Sequence, residues 1–271
     1  MSDELARIAA ALERLSPATP ARTDWRAAPA YVWDGAARAV AQITAPRLDL
    51  LKGIDAQKEL VTANVARLAS GHAAHDMLLW GSRGMGKSAL LRASVAAAQT
   101  ADPARIALVQ VAPEALASLA ALFAALGGEP RRFLVYIDDL GFEEGDSSGP
   151  RALRSWLEGG VEARPGNVRI AGTSNRRAIV PRHLSEQDDP INPRDAVDDR
   201  LALADRFGLS IGFHNCSQDD YLAIVAAYCT EQKLAWDEGE ALEWAKRRGA
   251  RSGRVAWQFV TELAGRAGKA L

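Results

Sequence analysis

The hydrophobic positions change their period along the chain. Between residues 3 and 15, Leu5, Ile8, Leu12 and Leu15 recur at three- and four-residue spacing, which predicts a short amphipathic helix. Its stripe serves either to dock a partner or to pack on its own domain, because helices this short rarely hold alone. Residues 17–47 lose all period. Pro17, Pro20, Pro29 and Pro46 are scattered among Trp25, Tyr31 and Trp33, the pattern of an irregular arm pinned to a surface by its rings. From residue 51 the texture becomes regular: Leu60, Val61, Val65 and Leu68 mark a helix that ends at Gly71. Apolar runs of strand length then follow at 76–80, 105–111, 133–137, 168–172 and 209–213, separated by helical stretches near 87–100, 113–126, 151–161 and 195–206. Strands that are apolar on both faces and alternate with helices predict a parallel sheet covered on both sides. After residue 216 no strand pattern returns, and 217–231, 238–248 and 253–268 read as helices.

Composition narrows this picture only a little. The 271 residues carry 33 Lys and Arg against 34 Asp and Glu, a net charge of -1 that argues against a dedicated coat for nucleic acid but permits a local basic patch. Two cysteines, Cys216 and Cys229, are too few for a disulfide framework and point to a reducing cytoplasm. MSDELAR at the N-terminus lacks the pattern of a signal peptide, and the longest apolar stretch, about 115–126, is short of the ~20 residues of a membrane helix. A soluble cytoplasmic protein without a membrane partner is expected.

The chemistry concentrates after the first core strand. GSRGMGKS, residues 81–88, fits G-x-x-x-x-G-K-[ST] at Gly81, Gly86, Lys87 and Ser88, between a strand and a helix as that motif requires. Its glycines let successive N–H groups, from Ser82, Arg83, Gly84, Met85 and Gly86 onward to Ala89, turn inward as a nest for phosphate oxygens. The start of the following helix adds its positive end, Lys87 reaches the β- and γ-phosphates, and the Ser88 hydroxyl ligates Mg²⁺. FLVYIDD, 133–139, is a buried strand ending in two carboxylates, costly unless a cation or donors meet them, and Asp138 sits where such a protein holds Mg²⁺. The two aspartates capping a turn is the simpler reading of the same pair. No N-K-x-D guanine signature occurs, so the nucleotide is read as ATP. The expected fold class is therefore α/β: a P-loop NTPase three-layer αβα core with a five-stranded parallel sheet over 51–215. An N-terminal helix and arm precede it over 1–50, and a small helical lid follows over 216–271.

From about residue 50 onward the chain resembles the AAA+ ATPases. GIDAQK (53–58) is similar to the segment lining the adenine pocket, with Ile54 against the base. TSN (173–175) is similar to the end of the fourth strand and makes Asn175 the sensor that orients the attacking water. ADRFG (204–208) resembles the arginine-finger box, with Arg206 as finger, and RSGRVAW (251–257) makes Arg254 the second sensor, reaching the γ-phosphate from the lid. IDDLGFEEGD, LEGGVEARPGNVRIAGTSNRR and DRFGL together look closest to a bacterial AAA+ branch of unassigned function. The resemblance implies an ATPase that assembles into a ring or partial ring and remodels or loads a protein or nucleic-acid client. One departure stands out: the usual Asp-Glu pair is Asp138-Asp139 here, so the water-polarising group, Asp139, is one methylene shorter. Glu143 reaches in only if its loop folds back, and with Glu144 and Asp146 it otherwise forms a solvated acidic loop. A switch or scaffold that binds ATP and barely turns it over is therefore the second reading.

Other signals are weaker. His72 and His75 have metal-like spacing but no third ligand nearby. Lys246, Arg247, Arg248, Arg251 and Arg254 form a basic run that reads as a solvated helix face plus one sensor, or as a contact to a phosphate backbone. The acidic segment 186–199 reads as an exposed loop held open by Pro190 and Pro193.

Overall fold

The computed structural model describes residues 23–141, 153, 155–157, 163–175 and 204–271. The predicted helix at 3–15, the Glu143 loop, the acidic segment 186–199 and most of the helical stretches at 151–161 and 195–206 lie outside the described residues. The core strands fall where the apolar runs predict them: β3 Met77–Gly81, β4 Ile106–Val111, β5 Arg132–Ile137, β6 Val168–Ser174 and β7 Leu209–Phe213. α1 Asp55–Ala69 precedes β3, and between the strands lie α2 Lys87–Ala101 and α3 Leu119–Gly127, the last preceded by a 3-10 turn over Pro113–Ser118.

Among the described residues the sheet has seven strands, not the expected five, in the order β2-β1-β4-β5-β6-β3-β7. The two additional strands, β1 Ala30–Trp33 and β2 Ala37–Val40, come from the stretch that the prolines mark as irregular. β1 pairs parallel to β4, Ala30 opposite Leu108, and β2 turns back antiparallel to it through Gly35, whose φ of 105° suits a residue without Cβ. Alternation explains why this short run adds to the sheet: Tyr31 and Trp33 both enter the core below it. Tyr31 packs 4.8 Å from Trp25, which meets Phe133 at 5.8 Å, and the Trp33 indole donates to Ser118 Oγ at 2.8 Å. The buried Arg131 guanidinium then donates to the carbonyls of Trp25, Ala28, Pro103 and Ile106, tying the lead-in of β1 to the neighbouring strands.

Period-2 alternation splits the sheet into two buried faces. On β5, Phe133, Val135 and Ile137 face α3, while Leu134 and Tyr136 face α1 and α2. After β7 come α4 Gln218–Glu231, α5 Glu238–Arg248 and α6 Gly253–Arg266. Side-chain oxygens cap each start: Ser217 and Asp220 as a reciprocal capping box, then Asp237 and Ser252. Their apolar stripes, including Tyr221, Val225, Val255 and Phe259, join the same cluster as Leu51, Ile54 and the α1–α2 face of the sheet. Among the described residues no helix is long and apolar enough to cross a membrane.

Candidate nucleotide-binding site

The loop after β3 is shaped by three glycines in the left-handed region, Gly81, Gly84 and Gly86, at φ 121°, 75° and 86°. Two of these have no room for a side chain. A Cβ on Gly81 would lie 2.1 Å from the Phe213 carbonyl oxygen, and one on Gly84 would lie 2.9 Å from Ser252 Oγ. The backbone can therefore pass close to β7 on one side and to the start of α6 on the other. Gly86 serves as N-cap of α2, so the first free N–H groups of that helix open into the loop. Lys87 is only 7% exposed, and its ammonium donates to the carbonyls of Gly81 (2.7 Å) and Ser82 (2.8 Å). Burial lowers its pKa, Asp139 and Asp138 pull it back up, and Arg254 and Arg83 push it down.

Opposite the loop, the end of β5 presents Asp138. Its Oδ1 accepts from Ser88 Oγ (2.7 Å), Thr173 Oγ1 (2.6 Å) and the Asp139 N–H (3.2 Å). Burial alone would raise this carboxyl, but hydrogen bonds from Thr173, Tyr136 and Ser88 hold it below the usual carboxylate range. The same burial pushes the Tyr136 phenol above its ordinary value. A carboxylate kept ionised next to a serine hydroxyl is a hard-oxygen donor set, which fits Mg²⁺. Asp139 adopts φ 51°, unusual for a residue with a Cβ, and its N–H is fixed by Thr173 Oγ1 at 3.0 Å. Its carboxylate accepts from Asn175 Nδ2 at 2.5 Å, and Asn175 Oδ1 accepts from Lys87 at 3.4 Å.

These groups share one cavity of about 940 Å³, bounded by the loop, the ends of β5 and β6, the segment 44–54 and helices α4 and α6. It gathers Ile54, Arg83, Gly84, Met85, Gly86, Lys87, Ser88, Ala89, Asp138, Asp139, Asn175 and Arg254. Gly81 and Ser82 stand behind it, contributing the carbonyls that hold Lys87. Arg254 is attached to the loop directly, its N–H donating to Gly84 O at 3.2 Å. Arg206 is not brought to this cavity. It precedes β7 at the strand's N-terminal end, whereas the loop leaves β3 at the C-terminal end of the parallel pair.

The cavity also holds residues to which the sequence motifs assign no role. Thr173 fixes both aspartates, and Leu51, Ile224, Tyr228 and Trp257 build an apolar end beside Ile54. The Tyr228 and Trp257 rings meet edge to face at 5.0 Å, and Trp257 keeps 39% of its surface exposed. Arg47 bridges the mouth, paired with Asp49 and with Glu231 of α4 at 3.0 Å.

The sheet order and the strand–glycine loop–helix unit at β3 and α2 give the chain the AAA+ fold. The chain belongs to the family described as "Protein of unknown function (DUF815)", whose model matches residues 26–267. Comparison with curated proteins gives no match. Among solved structures, the chain is similar to a single-substitution variant of RuvB from Thermotoga maritima at 18% identity, over 84% of this chain and 68% of that one, with a TM-score of 0.57. RuvB of the same organism, described as a Holliday junction branch migration motor, aligns at 18% identity over the same shares, with a TM-score of 0.54. The ORC1 protein of Aeropyrum pernix, solved in complex with DNA, aligns at 15% identity over 82% of this chain and 65% of that one, with a TM-score of 0.52.

Proposed function

We propose that the protein binds ATP with Mg²⁺ and hydrolyses it at an interface between copies of itself, using the cycle to remodel or load a macromolecular client. The observation that carries this reading is the Ser88–Asp138 hydrogen bond at the mouth of a glycine nest. It joins a hydroxyl to a carboxylate that, with Asp139, favours the charged form of the buried Lys87. Lys87 and the loop N–H groups receive the phosphates, Ser88 and Asp138 hold the metal, and the apolar end at Ile54 takes the base. Mg²⁺ there supplies charge neutralisation on the phosphate oxygens. Asp139, oriented by Asn175 and Thr173, positions the attacking water and accepts its proton. Arg254 approaches the phosphates from α6, which with α4 and α5 acts as a lid. Arg206, remote from its own loop, serves the neighbouring subunit of a ring or partial ring, and the two buried cysteines suit a reducing cytoplasm.

The short Asp139, clamped by Asn175, favours a second reading in which ATP acts as a switch with little turnover. Steady-state ATP hydrolysis across protein concentration, together with calorimetric ATP titration, separates the two. Specific activity that rises with concentration supports the interface enzyme. Tight ATP binding with no turnover at any concentration supports the switch, and no ATP binding at all refutes both.

A further inference from the structure

We propose that the C-terminal end of α5 and the turn into α6 form a docking surface for the phosphodiester backbone of nucleic acid. Lys246, Arg247, Arg248 and Arg251 are all exposed there, within six residues of a chain whose net charge is -1. Among the described residues, the carboxylate paired with them is Glu243, 3.9 Å from Lys246. The negative end of α5 accounts for a cation in its last turn, worth about 0.3–1 kcal/mol. It does not account for Arg251, which lies beyond the left-handed Gly249 that ends the helix. Nor does it account for the seating of two guanidiniums: Arg248 sits 4.7 Å and Arg247 6.0 Å from the centre of the Trp244 ring. Stacking on an indole orders these cations without neutralising them, so their charge is left for an external anion.

Beside this row is a second cavity of about 580 Å³, whose lining includes the amides Asn215 and Gln218, the cations Lys246 and Arg251, the carboxylate Glu243 and the turn residue Gly249. Arg251 faces into it. Burial and Asp220 push the Cys216 thiol in its wall up to about 11, with Arg251 opposing the rise. Amide side chains, backbone groups and paired cations are the groups that hold phosphates without reading bases. The Trp244 ring is covered by guanidiniums, so it is not open for base stacking, and the surface should track the backbone of any sequence. It also adjoins the nucleotide loop: Ser82 Oγ donates to Asn215 Oδ1 at 2.6 Å, and Ser252 lies against Gly84. This gives the client of the proposed ATPase a chemical class, and so rests on that reading for its purpose, although binding itself needs no ATP.

The test is fluorescence anisotropy of a short labelled DNA duplex and of its single strand, without nucleotide, over a series of salt concentrations. The wild type should bind both, and log K should fall with log salt. Arg247→Ala with Arg248→Ala should flatten that slope by about one per cation removed, as should Arg251→Ala alone. Arg26→Ala with Arg38→Ala, an equal loss of charge on exposed residues at the β1–β2 edge, should leave binding unchanged. Lys87→Ala should lose ATP yet keep DNA, which separates a failure here from a failure of the nucleotide site. Thermal melts check that each variant is folded. The proposal is overturned if the wild type does not bind at low salt, if the Arg26–Arg38 variant weakens binding as much as the Arg247–Arg248 variant, or if tripolyphosphate binds while DNA does not.

Discussion

At the scale of single residues, Lys87 is buried with its charge turned onto two loop carbonyls rather than onto the core. Lys87→Ala should therefore abolish tight ATP binding in a calorimetric titration while leaving the thermal melt close to that of the wild type. Asp138 and Asp139 should separate in the same assay. Asp138→Asn should weaken Mg²⁺-dependent ATP binding, whereas Asp139→Asn should bind ATP and hydrolyse it at least ~10²-fold more slowly, since a positioned base acts in the transition state. Asp138 also carries a pH prediction. Its hydrogen bonds keep it ionised below the usual range, so its function is present above its pKa and lost as pH falls through it. Thr173→Val removes one donor and raises that pKa, so Mg²⁺-dependent binding should fail at a higher pH than in the wild type. The glycines, Lys87, Ser88 and Asp138 were legible in the sequence because each sits in a short contiguous motif with one chemistry. Thr173 was visible only as part of TSN. Tyr228 and Trp257 were not legible as site residues, because on their own helices they read as ordinary amphipathic packing, and only the fold carries them to Ile54.

Among the elements, β3–β7 and the helices between them were predictable from unbroken apolar runs, whereas β1 and β2 were not. Each has four residues, too few to establish a period, and prolines precede and follow them. Their strand state depends on partners distant in sequence: the free edge of β4 and the Arg131 guanidinium. Arg131→Met should remove a donor from the carbonyls of Trp25, Ala28 and Pro103, and from Ile106 O, which keeps Gln99 Nε2, at about 1–3 kcal/mol for each one left buried and unsatisfied. Hydrogen exchange should then rise first at residues 30–40 and only later in β5 and β6. The glycine loop makes a sharper demand. Gly81→Ala drives a methyl into the Phe213 carbonyl and should destabilise by about 3 kcal/mol or more, while Gly128→Ala, with open space around it, should change the melt little.

The whole molecule raises the question of whether one chain suffices. Arg206 stands at the end of β7 away from its own loop, and it already interacts within its own chain, so a trans role requires it to exchange partners. Arg206→Ala should bind ATP normally and hydrolyse it ~10³-fold or more slowly, by the usual worth of such a finger. Mixing it with Lys87→Ala should restore part of the activity, because each variant supplies what the other lacks. A dead mixture beside an active, monomeric wild type would refute the shared site.

The contact between Gly84 and the start of α6 has a mechanical consequence. The loop and the helix touch backbone to backbone, with Arg254 N–H on Gly84 O and Ser252 in the space a side chain would take. α6 runs 14 residues from that point, a rod of about 21 Å. A tilt of about 5° about this pivot swings its far end through about 2 Å, by the length of the rod alone. The loop that would grip phosphate thus adjoins the pivot of α6, and a tilt begun at Ser252 would be smallest beside Gly84 and largest at Arg266.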